Sequence, residues 1–158
     1  MIDATIICAH QASAGAKGVR SIEAIGCSKS GLSTKLHALG NPVAFHLTPG
    51  HLHDLHGADA LIPQLGGRFG ALLADRAYDA QQRVIDLLLA MNVTPVIPSK
   101  INRTWRRHHD PHLFRARHLV ENFFAKLKAY RAIGTRYDKR AAAFMGAIYL
   151  ASTIITLN

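Results

Sequence analysis

The sequence predicts a mixed α/β domain, and three features of the chain predict it. Segments rich in β-branched residues lie in its first third, strands and helices alternate after them, and two helical segments close it. An apolar content of 49% argues against disorder and is enough for one core in 158 residues. No repeat or linker divides the chain, so residues 1–158 are expected to form a single domain. The early strands should pair antiparallel, and the later strand–helix–strand order favours parallel pairing.

The first third of the chain predicts three strands and one long loop. Residues 2–8 are rich in β-branched side chains and predict a strand at the start. The small, polar and Gly-rich stretch 10–33 predicts a loop. Residues 34–39 and 42–47 predict two short strands, and Gly40-Asn41 between them predicts that they form a hairpin.

The middle of the chain begins with a helix and a buried strand. Asp54 is expected to cap a helix that reaches Leu65, and Gly66-Gly67 is expected to end it. Residues 70–75 are apolar except for the final aspartate. They predict a buried strand with Asp75 at its end.

A second helix and a fourth strand follow. Asp79 and Gln82 have the spacing of a capping box, which predicts a helix over residues 80–91. Residues 93–97 predict the next strand. Pro95 within it lacks a backbone N–H, so this strand should be an edge strand or an interrupted one.

The last third predicts a basic loop and two helices. The loop covers residues 99–111, and residues 141–157 predict an apolar helix after a break near Gly134. A membrane span is the alternative for that last segment, but it is short and carries four small or polar residues, which favours a buried helix. The stretch 114–128 has no Gly or Pro, and its apolar residues recur at helical spacing: Leu119, Val120, Phe123, Phe124 and Leu127.

The charge of the chain points to a polyanionic partner. The formal net charge is +9 and the pI is near 10.1. Twelve of the 19 Lys and Arg residues lie between Lys100 and Arg140, against three acids. This clustering favours a nucleic-acid-binding surface over a merely solvated basic face.

Composition also indicates the cellular compartment in which the protein is expected. Two cysteines without a paired Cys/His spacing predict neither a disulfide framework nor structural zinc. The first residues do not form a signal peptide. A cytoplasmic protein without membrane association is therefore expected. Two groups of three histidines also match no zinc pattern: His51, His53 and His56, and His108, His109 and His112. They are expected to make polar contacts in loops, including contacts with phosphates.

Three acids stand out by their positions. Asp3 lies in an apolar strand, Asp75 ends a later strand, and Glu121 lies on a helix among arginines and lysines. Each has a simpler explanation, because Asp3 can be exposed, Asp75 can pair with Arg76, and Glu121 can pair with Arg117 at i, i+4. Brought together, the three carboxylates would form an oxygen-only site for a hard divalent cation. Two Mg²⁺ ions at such a site can support cleavage of a phosphodiester.

Several ordered motifs resemble one family, the DDE transposases of bacterial insertion sequences, in the insertion-sequence-five group of the insertion-sequence-four-like superfamily. The resemblance covers essentially the whole chain. Its main motifs are Ala74-Asp-Arg-Ala-Tyr-Asp79, Arg117-His-Leu-Val-Glu-Asn-Phe-Phe-Ala-Lys-Leu-Lys128 and Ile133-Gly-Thr-Arg-Tyr-Asp-Lys139. The opening Ile2-Asp-Ala-Thr-Ile6, the loop 26–35 and Leu47-Thr-Pro-Gly50 are similar to that group as well.

The resemblance implies an RNase H-like fold, a mixed sheet flanked by helices. It implies that Asp3, Asp75 and Glu121 are the catalytic residues and hold Mg²⁺ or Mn²⁺, in a site of two ions. It implies that Arg117 and Lys128 contact DNA near the scissile phosphate. Phe114 stands where the family signature has a tyrosine, so one hydroxyl is missing while the ring can still pack or stack.

Further DNA contacts are expected around Trp105 and in the last motif. Trp105 stands among arginines and is interpreted either as an aromatic nucleic-acid contact or as a core anchor beneath the loop. Tyr78 is expected either to support Asp75 or to pack. The remaining predicted DNA contacts are Arg103, Arg106, Arg107, Arg136 and Lys139.

Three departures from the family lead to competing hypotheses. The family usually has an N-terminal region that recognises the element ends, and this sequence begins two residues before Asp3; the turn 39–42 is also short. The chain is therefore interpreted as the catalytic half of a transposase, near the bacterial nucleoid. Its partners would be element-end and target DNA, with an upstream transposase half or further copies of itself.

The alternative is an inert fragment that only binds DNA or a partner. Tyr137-Asp138-Lys139 argues against a third hypothesis, a cellular RNase H-like nuclease.

Overall fold

The structure, a computed structural model, describes residues 1–14, 22–29, 31–40, 43–66 and 69–157. Within these ranges the chain forms strands and helices in mixed order, which confirms the predicted α/β class. The strands fall into two sheets, one of five strands and one of two. This differs from the prediction of one mixed sheet.

The larger sheet is organised around β3, Gly31–Leu39. One edge of β3 pairs antiparallel with β1, Ile2–Ala9, from Ile2 opposite Leu39 to Cys8 opposite Ser33. The other edge pairs first with β2, Gly26–Ser28, and then with β4, Ala44–Pro49. The predicted strand at the start of the chain and the predicted hairpin are thereby confirmed. Residues 41 and 42 of the hairpin turn lie outside the described ranges.

Two strands of this sheet were not expected from the sequence. The stretch 10–33 was predicted to be a loop, but it contains β2 and the first residues of β3. Gly31, at φ +98°, allows the tight reversal that brings Gly26–Ser28 onto β3. The two-residue strand β7, Thr135–Arg136, pairs parallel with the end of β1. Both strands form by pairing with a neighbouring strand rather than through the β propensity of their own residues. Their local sequences therefore did not predict them.

The smaller sheet has the parallel pairing that was predicted. β5, Ala71–Leu73, pairs with β6, Thr94–Val96, and a helical segment connects them. That segment begins as a wide helical turn, Gln81–Ile85, and continues as α2, Asp86–Ala90. Pro95 lies in β6, an edge of this two-stranded sheet, as the missing N–H predicted.

Two predicted helix caps are wrong, and both aspartates bind cations instead. Asp54 precedes α1, Leu55–Leu61, but its carboxylate makes no cap and accepts a hydrogen bond from Lys35 Nζ at 2.7 Å. Asp79 is buried against two arginines, and Ala80 takes the cap position. A charged donor binds a carboxylate more strongly than a neutral backbone N–H does. Gly66, at φ +55°, ends the short 3₁₀ turn Ile62–Leu65 that follows α1, as expected.

The C-terminal part contains α3, Pro111–Arg115, α4, His118–Ala129, α5, Arg131–Gly134, and α6, Ala141–Leu157. The helix predicted over 114–128 is therefore divided at residues 116 and 117. α4 and α6 pack against the five-stranded sheet through Phe123, Phe144 and their neighbours, and a second core lies between that sheet, α1, α2 and the smaller sheet. No helix in the described ranges combines the length and apolarity that crossing a membrane requires.

Candidate active site

One guanidinium joins two of the three predicted catalytic acids. Arg117 lies in the break between α3 and α4, and its Nη1 donates to Oδ2 of Asp3 at 3.0 Å. Its Nη2 donates to Oε1 of Glu121, one turn further along. The Asp3 side chain is 14% exposed, whereas that of Glu121 is 51% exposed. The fold thus brings residues 114 positions apart in sequence onto one arginine.

Asp75 belongs to the same electrostatic neighbourhood. It lies two residues after the end of β5, and its Oδ1 accepts a hydrogen bond from Ala77 N at 2.9 Å at the start of a 3₁₀ turn. Burial raises the pKa of Asp3, and the negative charges of Asp75 and Glu121 raise it further, against the Ala4 N–H and Arg117, which lower it. Asp3 therefore interacts with both of the other predicted catalytic carboxylates.

The donor set suits a hard divalent cation in chemistry and charge, although its geometry is not assembled for one. Asp3 and Glu121 share one guanidinium, and the charge of Asp75 acts on Asp3 as well, so negative charge is in excess around Asp3. Oxygen-only sets of this kind are typical ligands of Mg²⁺ and Mn²⁺. Among the residues that the structure describes, however, no three His, Cys, Asp or Glu side chains are grouped to hold a metal. The guanidinium of Arg117, rather than a metal ion, lies between Asp3 and Glu121.

Tyr78 lies close to these acids with an unused hydroxyl. The side chain is fully buried, and its hydroxyl has no hydrogen-bond partner among the residues that the structure describes. Burial raises the pKa of Tyr78 well above its usual value, and Asp54, Asp3 and Asp75 contribute to the rise. Tyr78 therefore packs against the core, the second of the two expected roles, and makes no hydrogen bond to Asp75. Its phenol stays protonated and is available as a donor.

Phe114 supports Arg117 with its ring. The guanidinium carbon of Arg117 lies 5.9 Å from the centre of the Phe114 ring, within range of a cation–π contact. The ring of His109 meets Phe114 edge-on at 5.5 Å. This contact does not require the hydroxyl that a tyrosine would carry at position 114.

The other predicted DNA contacts divide into exposed and buried groups. Lys128 is exposed near the end of α4, and Lys139 is exposed between β7 and α6. Arg136 is fully buried; its Nη1 donates to Oγ1 of Thr34 at 2.8 Å, and its guanidinium lies 5.0 Å from the Phe144 ring centre. The prediction that Arg136 contacts DNA therefore does not suit its position, because no part of the side chain reaches the surface.

The basic loop carries the most exposed aromatic side chain in the described ranges. Trp105 is 87% exposed, which excludes the core-anchor interpretation. Arg106 beside it is exposed as well. Arg103 and Arg107 instead bind the buried carboxylate of Asp79. The sequence analysis did not predict this role of Asp79, although three arginines against the single acid Asp110 in the loop were a signal that a partner lay elsewhere.

The histidine trios form no metal site among the described residues. The histidine with the strongest structural role belongs to neither trio. His37 on β3 is fully buried, and its Nε2 lies 2.9 Å from Oγ1 of Thr48. Burial lowers the pKa of His37 to about 4.

Comparison with known proteins extends over nearly the whole chain. The family model described as "Transposase DDE domain" matches residues 1–156. A protein of Brucella ovis named "Putative transposase for insertion sequence element IS6501" is 38% identical over 139 residues. That match covers 80% of this chain and 100% of the relative. No solved structure matches the chain.

Proposed function

The chain belongs to the family of transposase DDE domains, and from this premise we propose that it catalyses metal-dependent cleavage and strand transfer of insertion-sequence DNA. The observation that carries the proposal is that Asp3 shares Arg117 with Glu121 and lies within electrostatic reach of Asp75. We propose residues 1–158 as one RNase H-like catalytic domain. The antiparallel pairing of β1, β3 and β4 and the parallel pair β5–β6 support that arrangement.

Asp3, Asp75 and Glu121 would hold the divalent ions, Mg²⁺ or Mn²⁺, with two ions as the expected number. The bound ions would supply an activated water or 3′-hydroxyl and stabilise the leaving oxygen. Asp75 is already oriented by its bond to Ala77 N, and Asp3 by its bond to Ala4 N at 2.8 Å. Glu121 is the most exposed of the three and has the freedom to turn inward.

Arg117 would have a second role once divalent ions neutralise its carboxylate partners, Asp3 and Glu121. A guanidinium donates in a planar fork that matches a phosphate as well as a carboxylate. We propose that Arg117 releases Asp3 and Glu121 and binds the DNA phosphate beside the scissile bond. Phe114 keeps the guanidinium in place during this exchange, because a cation–π contact does not occupy any N–H donor.

The DNA partner would extend from this site across exposed cations elsewhere on the surface. Lys128 and Lys139 would bind phosphates, and Trp105 with Arg106 would contact a strand from the basic loop. An upstream transposase half or a second copy of the chain is the proposed source of recognition for the element ends.

The test is metal-dependent nicking of supercoiled plasmid DNA by the purified chain beside two variants. Glu121→Gln removes one proposed metal ligand, and Asp59→Asn removes an exposed acid that pairs with Arg83 elsewhere on the surface. Nicking should require Mg²⁺ or Mn²⁺, disappear in Glu121→Gln and persist in Asp59→Asn. Folded wild-type protein that binds DNA without nicking it, alone or mixed with an upstream transposase half, would support the inert-fragment hypothesis instead.

A further inference from the structure

The buried carboxylate of Asp79 organises the basic loop that carries Trp105. The Asp79 side chain has no exposed area, and its Oδ2 accepts hydrogen bonds from Lys100 N at 2.7 Å and Arg103 Nε at 3.0 Å. Its Oδ1 accepts from Arg103 Nη2 at 2.9 Å and from Arg107 Nη2. One side chain therefore fixes three positions of a loop more than 20 residues away.

Gln81 completes the arrangement from the surface side. Its Oε1 accepts from Arg103 Nη1 at 2.8 Å and from Arg107 Nη1 at 3.2 Å. Burial alone would raise the pKa of Asp79, but the Lys100 N–H and the two guanidinium groups outweigh it and hold the pKa below its usual range. The carboxylate is thus charged at neutral pH.

The loop has little else to hold its shape. Ile97 and Pro98 before the loop are buried, but residues 99–110 form neither helix nor strand, and the side chains of Ile101 and Trp105 are 76% and 87% exposed. Within the described ranges, the loop's other bonds and ring contacts are to residues near it in sequence, such as the bond from Arg107 N to Ser99 Oγ at 2.9 Å and the contact of His109 with Phe114. A loop with few buried contacts opens easily unless charged hydrogen bonds hold it.

We propose that Asp79 is a positioning residue for DNA binding, which fixes the loop so that Trp105 and Arg106 are presented together to a strand. An open cleft of about 520 Å³ lies between Asp79 and Trp105, and its remaining lining is polar: Lys100, Asn102, Arg103 and Thr104. The cluster holds one negative charge against two positive ones and so stays attractive to phosphate. This inference rests on the proposed function, since it concerns how the same protein binds its DNA.

Charge and positioning predict opposite effects for the variant Asp79→Asn. Removing a negative charge from a cationic surface should strengthen DNA binding if only charge matters. Removing the residue that orders the loop should weaken binding, because the strand would then have to order the loop itself. The variant Asp59→Asn adds the same charge at a surface pair with Arg83 and serves as the matched control.

The experiment uses full-length protein and a fluorescein-labelled DNA duplex. Trp105 is the only tryptophan in the chain, so its time-resolved anisotropy reports loop mobility directly. We expect Asp79→Asn to gain fast Trp105 motion and to bind the duplex at least tenfold more weakly at a temperature where it is fully folded. Asp59→Asn should keep wild-type anisotropy and bind with equal or slightly higher affinity.

A second variant keeps the inference testable if Asp79→Asn does not fold. Gln81 is exposed, and Gln81→Ala removes one acceptor from both arginines without changing the charge. It should increase Trp105 mobility and weaken DNA binding two- to threefold. Unchanged anisotropy and affinity in the variants that fold would overturn the role of Asp79 while leaving the proposed function intact. Wild-type protein without affinity for the duplex would overturn both.

Discussion

At the scale of single residues, Arg117 has the most demanding position in the candidate site. Its two terminal nitrogens serve Asp3 and Glu121, while the face of its guanidinium lies toward Phe114. Lysine cannot reproduce this arrangement, because its ammonium is a point charge without a planar fork. The shape of the side chain therefore matters at position 117 as well as its charge.

The first prediction concerns Arg117→Lys. Nicking by this variant should fall by about 10²-fold, because one positioned donor at a phosphodiester transition state typically contributes that much. Rates of plasmid nicking at saturating metal measure the effect. Arg83→Lys makes the same change at an exposed pair with Asp59 and should retain activity. Equal rates for Arg117→Lys and wild type would mean that charge alone suffices.

The second prediction concerns His37 and pH. Burial lowers the pKa of His37 from 6.5 to about 4, so the unfolded chain binds this proton below pH 6.5 while the folded chain stays neutral. The contribution of neutral His37 to the free energy of unfolding is therefore complete above pH 6.5 and is lost as the pH falls toward 4. The slope is about 1.4 kcal/mol per pH unit, or about 3 kcal/mol in all.

Urea unfolding of wild type and His37→Gln at pH 7, 6 and 5 measures this contribution. The variant should be less stable at pH 7, yet its stability should decline less steeply toward pH 5. His118→Gln changes an exposed histidine and should follow the wild-type slope. Parallel slopes for wild type and His37→Gln would contradict the prediction.

At the scale of elements, α1 lies unusually close to β3. Gly57 of α1 is buried, and a Cβ atom added to it would overlap the imidazole ring of His37. Lys35 on the same strand ties the start of the helix through Asp54 at 2.7 Å and through the Leu52 carbonyl at 2.5 Å. The helix is thus fixed to the sheet by a close approach at one point and an ion pair at another.

The third prediction is that Gly57→Ala destabilises the protein by about 2–3 kcal/mol, because the new methyl group overpacks the core at His37. Helix propensity alone predicts the opposite sign, a gain of up to about 1 kcal/mol. Gly146→Ala in α6 is the matched control, since a Cβ there meets open space, and it should show that gain. Thermal unfolding of both variants checks the pair; a stabilised Gly57→Ala would mean that α1 does not lie so close.

Elements with their own hydrophobic pattern could be predicted from the sequence, and elements defined by a partner could not. β1, the hairpin β3–β4 and α6 each carry a local pattern that the structure confirms. β2 and β7 have three and two residues and exist through their pairing with β3 and β1. The division between α3 and α4 was likewise not predicted, and Arg117 at that division binds Asp3 on a distant strand.

The same distinction applies to the candidate site. The resemblance singled out Asp3, Asp75 and Glu121 as candidates, and the fold places Asp3 within electrostatic reach of both of the others. The sequence showed twelve basic residues in one region but not which of them reach the surface. Arg136 lies in the core, and Arg103 with Arg107 binds Asp79, because burial and ion pairing depend on tertiary neighbours.

At the scale of the whole molecule, a net charge of +9 makes some attraction to DNA unavoidable. Only cations that touch phosphate release counterions, so log affinity should fall against log salt with a slope of about −0.9 for each contact. Exposed Lys128 and Lys139 are proposed contacts.

The fourth prediction is that Lys128→Gln and Lys139→Gln each make the slope shallower by about one. Arg83→Gln lowers the net charge equally at a surface pair with Asp59 and should leave the slope unchanged.

Fluorescence anisotropy of a labelled duplex, titrated from about 50 to 200 mM salt, separates a defined surface from diffuse attraction. If Lys128→Gln and Lys139→Gln alter the slope and Arg83→Gln does not, phosphates lie on the surface that carries Lys128 near the end of α4 and Lys139 between β7 and α6. If all three variants weaken binding alike without altering the slope, net charge alone attracts the DNA. The strand would then have no defined path to the carboxylates, and cleavage at a chosen phosphate would require a partner to supply that path.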